Sequence, residues 1–214
     1  LNYDMVGSPN YIIGVYDGAQ ISGDPDYPVT QQIGSLALME MYEGYLESKG
    51  SAHVPVEFNG RSDYGPFLER GIPCGGLETG AEKIKTEAER QMFGGWANAA
   101  YDTCYHQFCD TIENVSPAAL AINAPTAAYA VQYLATHSDL QGFLGYGTAT
   151  ATLTATGNPA SSPVGTVTIR TLDVDTVEIS YECRGLAPNS VHGFHIHEAA
   201  DFSNGCLSTG KGAQ

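Results

Sequence analysis

The chain has 214 residues, with 9 Lys plus Arg against 24 Asp plus Glu, a formal net charge of -15 and only 15% charged residues. That balance excludes a nucleic-acid surface, which needs clustered cations, and an anionic membrane would repel it. Its apolar runs fall short of the ~18 residues of a membrane-spanning helix. Hydrophobic residues at 43% are enough to build cores, so global disorder is excluded and one domain, or two small or partial ones, is expected.

Taken in chain order, Leu1 to Val6 is a short apolar run broken by Asp4, and Tyr11 to Tyr16 is a candidate strand. Pro28 to Leu46 predicts a helix, because Ile33, Leu36, Leu38, Met39, Met41 and Tyr42 recur at helical spacing and Gly50 stops it. His53 to Phe58 is strand-like and leads into the loop Gly60-Arg61-Ser62-Asp63. Ile72 to Leu77 is a short run interrupted by Gly75 and Gly76. A second long helix is expected over Ala118 to Leu134, with Ser116 as cap and Pro117 in its first turn. Strands alternating with helices predict an α/β layer for residues 1–137.

Near residue 138 the texture changes. Residues 138 to 147, with Gly142, Gly145 and Gly147, form a candidate linker. From Thr148 onward three runs alternate with period two, starting at Thr148, Gly165 and Val177, and turn residues separate them. That pattern predicts an antiparallel sheet belonging to a partial Greek-key barrel or sandwich.

Five cysteines are present, at positions 74, 104, 109, 183 and 206. Cys104 and Cys109 flank a short turn and are close enough for a local disulfide if their Cβ atoms approach within ~4.5 Å. Sparse Lys, this candidate bridge and the triplet Asn114-Val115-Ser116 all lean towards a secreted or otherwise oxidising setting. The chain starts at Leu1 with no charged or apolar leader and stops in a Gly-rich stretch, so an interior piece of a longer precursor is expected.

Asp4 stands at the end of an apolar run before a Gly-Ser-Pro turn, a place where open α/β sheets hold their sites, although a turn-capping Asp would look the same. His106 sits between Cys104 and Cys109, as a plain loop histidine or as an imidazole held by a clamped loop. Arg61 is either a surface ion-pair partner or part of a site. Four motifs then occur in order: Leu1-Asn-Tyr-Asp-Met-Val-Gly-Ser-Pro-Asn10, Gly60-Arg-Ser-Asp-Tyr-Gly-Pro-Phe67, Gly71-Ile-Pro-Cys-Gly-Gly-Leu-Glu-Thr-Gly-Ala81 and Cys104-Tyr-His-Gln-Phe-Cys-Asp110. Together they resemble the secreted di-zinc aminopeptidases of bacteria and fungi, within the transferrin-receptor-like zinc exopeptidases, over residues 1–137.

The resemblance implies that Asp4 and His106 each ligate one of two zinc ions and that Tyr105 helps hold the oxyanion. It also implies that Arg61 lies near the substrate carbonyl, that Cys104 and Cys109 are bridged, and that Asp63 has a structural role. Chemistry of this kind needs a metal-bound water, a base and oxyanion donors. The remaining ligands and the Glu base of that family precede the Asp4 motif, so the chain alone is expected to be inactive.

His195 and His197 are two apart, which on a strand puts both imidazoles on one face as either solvent-facing residues or a metal pair. With Gly185-Leu-Ala-Pro, Val191-His-Gly-Phe-His-Ile-His-Glu198 and Asp201-Phe-Ser-Asn-Gly-Cys-Leu-Ser-Thr-Gly210, residues 148–214 resemble the opening of a copper/zinc superoxide dismutase. The resemblance implies that His195 and His197 are copper ligands, His192 a supporting residue and Cys206 a half-cystine. Ala200 replaces an expected Gly, and Lys-Gly-Ala-Gln follows Gly210, so the other copper and zinc ligands are expected beyond Gln214. Cys74 and Cys183 then remain as buried thiols.

The parent protein is accordingly expected to be a zinc aminopeptidase acting on peptides and fused to a dismutase-like module. The alternatives are superoxide dismutation as the main activity, or a metal- or partner-binding protein that keeps both folds without catalysis.

Overall fold

A computed structural model describes residues 1–24, 26–27, 29–153, 164–171, 176–191, 196–197 and 212–213. They fall in two compact units, one of residues 1–147 with 171–176 and the other of 148–170 with 177–214.

In the first unit β1 (Gly14–Tyr16) lies between β2 (Val54–Val56), which runs parallel to it, and β3 (Leu77–Glu78), which runs antiparallel. Parallel neighbours need a crossover, and α1 (Val29–Ser48) supplies it. That helix ends where Gly50 takes a positive φ of 65°, with Gly50 N–H on the Glu47 carbonyl and Ser51 N–H on the Leu46 carbonyl. The two-residue period of β1 divides its side chains. Ile13 and Val15 join Leu38, Met41, Tyr42 and Leu46 of α1 and Ala130 in one core, while Tyr16 joins Phe58, Tyr64 and Cys74 in another. Burial of each large apolar side chain there contributes about 1.5–3 kcal/mol. Of the helical positions expected to face inward, Ile33 is instead 48% exposed.

The second long helix is α4 (Pro117–Thr136). Ser116 Oγ accepts from Ala119 N–H at 3.2 Å and caps it. Residues 140–143, inside the span read as a linker, form a short helix, α5 (Leu140–Phe143). Its Phe143 ring lies 5.6 Å from Tyr133 and 5.1 Å from His137, so aromatic packing folds this stretch onto the first unit. Two further helices were not anticipated: α2 (Gly65–Leu68) and α3 (Glu87–Phe93). Thr86-Glu-Ala-Glu89 forms a capping box at the start of α3, a sequence pattern that announces a helix but goes unread when only hydrophobic periodicity is followed.

The second unit carries β4 (Thr148–Leu153), β5 (Val164–Thr171) and β6 (Val177–Arg184) in that order. β4 pairs antiparallel with β5 from Thr148↔Arg170 to Leu153↔Gly165. β7 (Ile196–His197) pairs antiparallel with β8 (Gly212–Ala213). An α/β unit followed by antiparallel strands is the architecture expected, but among the described residues the strands form open sheets and not a closed barrel. Cys183 is half-buried and not buried as expected, because among the described residues β6 lies at one edge of its sheet and most of its residues are exposed. No helix among the described residues is long and apolar enough to cross a membrane.

Candidate functional site

The site begins with a short segment laid along the sheet edge. Asn2 bridges Gly76 in parallel register, with its N–H on the Gly75 carbonyl at 2.9 Å and its carbonyl accepting Leu77 N–H at 3.1 Å. This pairing delivers Asp4, two residues on, to the mouth of a polar cleft. Asp4 is exposed, and its Oδ2 accepts from Ser62 Oγ at 2.9 Å. Ser62 in turn accepts from Asn2 Nδ2 at 3.1 Å, so the same residue that pairs with the sheet also holds the serine that orients the carboxylate.

The loop carrying Arg61 and Ser62 is organised from below by Tyr64. Its buried phenol accepts from the N–H groups of Asn59 and Gly60 at 2.9 and 3.0 Å and donates to Asn59 Oδ1 at 3.1 Å. Asn59 Oδ1 also accepts Arg61 N–H at 2.9 Å. Arg61 Nη1 then reaches Glu82 Oε1 at 2.7 Å, in the cleft that Tyr105 also lines. The hydrogen bond to Glu82 raises the guanidinium pKa, and hydrogen bonding, to its own backbone first and to Arg61 second, lowers that of Glu82. Asp63, adjacent in sequence, is not in this cleft; it lines a neighbouring hollow with Leu1, Tyr64 and Phe67.

The third wall comes from the cysteine loop. Cys104 and Cys109 are disulfide-bonded. Buried Asp102 anchors the start of the loop: its N–H donates to the Ala81 carbonyl at 2.8 Å, and its Oδ1 accepts Cys104 N–H at 2.8 Å. Asn114 Nδ2 donates to both carboxylate oxygens of Asp102, at 2.9 and 3.1 Å. Both polar side chains of the Asn114-Val115-Ser116 triplet are therefore engaged, one with Asp102 and the other as the α4 cap. Tyr105 lines the cleft, and exposed His106, held at a positive φ of 57°, stacks on its ring with centroids 3.9 Å apart.

Asp4, Arg61 and Tyr105 thus line one cleft, and His106 lies against its Tyr105 wall without being a lining residue. Among the described residues no group of three or more His, Cys, Asp or Glu is arranged to hold a metal ion. His195, Cys206 and His192 lie outside the described residues, and of His197 only the backbone, paired with Gly212, is described. Sequence reasoning missed Ser62, Glu78 and Glu82 in the cleft, and the structural work of Tyr64 and Asp102. Of these Ser62 and Tyr64, inside the Gly60–Phe67 motif, and Glu78, inside the Gly71–Ala81 motif, carried a signal; Glu82 and Asp102 did not.

Burial pushes the Glu78 carboxyl above the usual carboxylate range, offset partly by its hydrogen bond from Tyr16 and by Lys83. Tyr16 is driven well above the usual phenol range, by burial first and by Glu78 second. Away from the cleft, burial pushes the Cys74 thiol up to about 11, so that thiol is inert.

A polar cleft assembled from the loops of an α/β sheet is where such folds bind their ligands. Comparison with known proteins gives the family: residues 1–131 match peptidase family M28, and the chain belongs to it. Residues 163–213 match the copper/zinc superoxide dismutase family. The chain is 41% identical over 143 residues to leucine aminopeptidase 2 of Arthroderma otae, covering 67% of this chain and 28% of that protein. It is 44% identical over 139 residues to a probable leucine aminopeptidase 2 of Aspergillus fumigatus, covering 65% and 27%. It is 41% identical over 134 residues to an aminopeptidase of Pseudomonas aeruginosa, covering 63% and 24%. The chain spans about a quarter of the length of these relatives.

Proposed function

We propose that this chain is part of a secreted, zinc-dependent aminopeptidase that removes N-terminal residues from peptides and carries a copper/zinc dismutase-like module. The observation that carries the reading is the convergence of Asp4, Arg61 and Tyr105 from three separate segments onto one cleft. Relatives named as aminopeptidases, and the disulfide that suits an oxidising compartment, support it.

Asp4 and His106 have the character that zinc ligands require. Asp4 is an exposed carboxylate oriented through one oxygen by Ser62, and His106 is an exposed imidazole on a loop closed by a disulfide. Bound zinc supplies Lewis acidity and a water acidic enough to ionise near neutral pH. Tyr105 donates its phenolic proton as a hydrogen bond to the oxyanion formed from the scissile carbonyl. Arg61 lines the same cleft as that phenol, and its positive charge favours the oxyanion there. Glu82 holds the guanidinium in place. His195 and His197 would hold copper in the second unit.

The test is hydrolysis of leucine anilide by the full-length protein, with zinc content measured in parallel. His106→Ala is expected to abolish turnover and lower the bound zinc. Unchanged zinc content in that variant removes His106 from the ligand set, and an inactive full-length wild-type protein refutes the aminopeptidase reading.

A further inference from the structure

The charges lining the cleft are unevenly matched. Arg61 is paired with Glu82, Lys83 Nζ lies 3.9 Å from Glu57, and Asp4 is held by Ser62. Glu78 is the carboxylate left over. It stands at the end of β3, half-buried, and Tyr16 OH donates to its Oε2 at 3.2 Å. Tyr16 OH also accepts from Asn2 Nδ2 at 3.3 Å, so its single proton is free for Glu78. Among the described residues Glu78 has no ion pair within 4 Å, and Oε1 has no hydrogen-bond donor.

A carboxylate withdrawn from water without a cation beside it is costly, and a cationic ligand group entering the same cleft recovers that cost. Resting on the aminopeptidase reading, we propose that Glu78 is a specificity-determining residue that receives the cationic side chain of an N-terminal lysine or arginine. With the scissile carbonyl beside Tyr105 and Asp4, the side chain of the N-terminal residue branches one carbon away and has the remainder of this cleft to fill. Its lining includes Met5, Glu78, Gly80 and Lys83, with the Lys83 ammonium 3.9 Å from Glu57. Glu78 Oε1 accepts from the terminal nitrogen of the lysine or arginine, while Tyr16, its ring buried against Phe58 and Tyr64, holds Oε2 from behind. Burial also raises the Glu78 carboxyl pKa, with the Tyr16 hydrogen bond and Lys83 offsetting part of the rise. The same carboxylate repels an N-terminal Asp or Glu.

The experiment compares lysyl, arginyl, norleucyl and glutamyl anilides with the full-length protein. Norleucine has nearly the length of lysine without the charge. Wild type is expected to cleave the lysyl substrate with kcat/KM at least equal to that of the norleucyl one, and the glutamyl substrate at least tenfold less well. In Glu78→Gln, which keeps an oxygen for Tyr16, the lysyl-to-norleucyl ratio of kcat/KM is expected to fall at least fivefold. Glu78→Met, which removes every polar atom, is expected to do the same. A fall short of fivefold in both variants overturns the proposal, as does a wild-type preference for norleucine over lysine, while leaving the aminopeptidase reading intact. Absence of turnover on every anilide overturns that reading, and the proposal with it.

Discussion

Gly76→Ala probes the link between the sheet and Asp4. A Cβ at Gly76 would fall on the Asn2 carbonyl oxygen, with the Asn2 carbonyl carbon and nitrogen at 2.8 and 2.9 Å. These atoms are backbone, so no rotamer change relieves the contact, and the Leu1–Asp4 segment must move away from β3. Movement breaks the hydrogen bonds from Asn2 N–H to the Gly75 carbonyl and from Leu77 N–H to the Asn2 carbonyl. Each such bond is worth about 0.5–1.5 kcal/mol net. Asn2 is buried, so stranding its polar groups adds to that loss, and Ala recovers about 0.4–1 kcal/mol by restricting the unfolded chain. The expected result is a net destabilisation of about 2–3 kcal/mol. Urea unfolding of the chain, followed by circular dichroism at the helical band, measures it, because α1 and α4 both belong to the first unit. On the proposed role of Asp4 as a zinc ligand, the same substitution in the full-length protein is expected to lower bound zinc together with stability. A loss below about 0.5 kcal/mol with unchanged zinc content would refute the argument that this close approach positions the carboxylate.

Thr86→Ala removes one half of the α3 capping box, in which Glu89 N–H donates to Thr86 Oγ1 at 3.2 Å, and is expected to cost about 1 kcal/mol in the same unfolding assay. Replacing Cys104 and Cys109 together by alanine reopens a loop closed over a sequence separation of 5 and is expected to cost about 2 kcal/mol. A double variant as stable as wild type would mean that the Asp102 hydrogen bonds alone hold the loop. The Glu78 carboxyl has a folded-state pKa above its unfolded value, so the folded state holds this proton more tightly. Its ionisation therefore penalises folding as pH rises from the ordinary carboxylate range through the raised folded value. Glu78→Gln is expected to gain stability relative to wild type above that window and to show no difference below it; unfolding midpoints from pH 3 to 8 test the sign.

Much of the architecture was legible because it rests on local periodicity. The helical recurrence at Leu38, Met41 and Tyr42 specified α1, Ser116 with Pro117 specified the start of α4, and period-two runs specified β4 to β6. The capping box at Thr86 was equally local and equally readable. The resemblance carried by the motifs around Asp4, Arg61 and Tyr105 also nominated candidates for one site.

What only the tertiary structure decided is which of those side chains meet and what surrounds them. Asp4 reaches Ser62 across 58 positions, Tyr16 reaches Glu78 across 62, and Asn10 reaches the backbone of Trp96 across 86. No periodicity encodes such contacts, since they depend on strand order and on a short edge pairing at Asn2 and Gly76. Charge balance in the cleft belongs to the same class. In sequence Glu78 and Glu82 are two carboxylates four apart, and only the fold leaves one against a guanidinium and the other without a cation. Burial and partner choice are properties of packed surfaces, whereas period and capping are properties of a few neighbouring residues, and that difference separates what the linear chain determined from what its folding added.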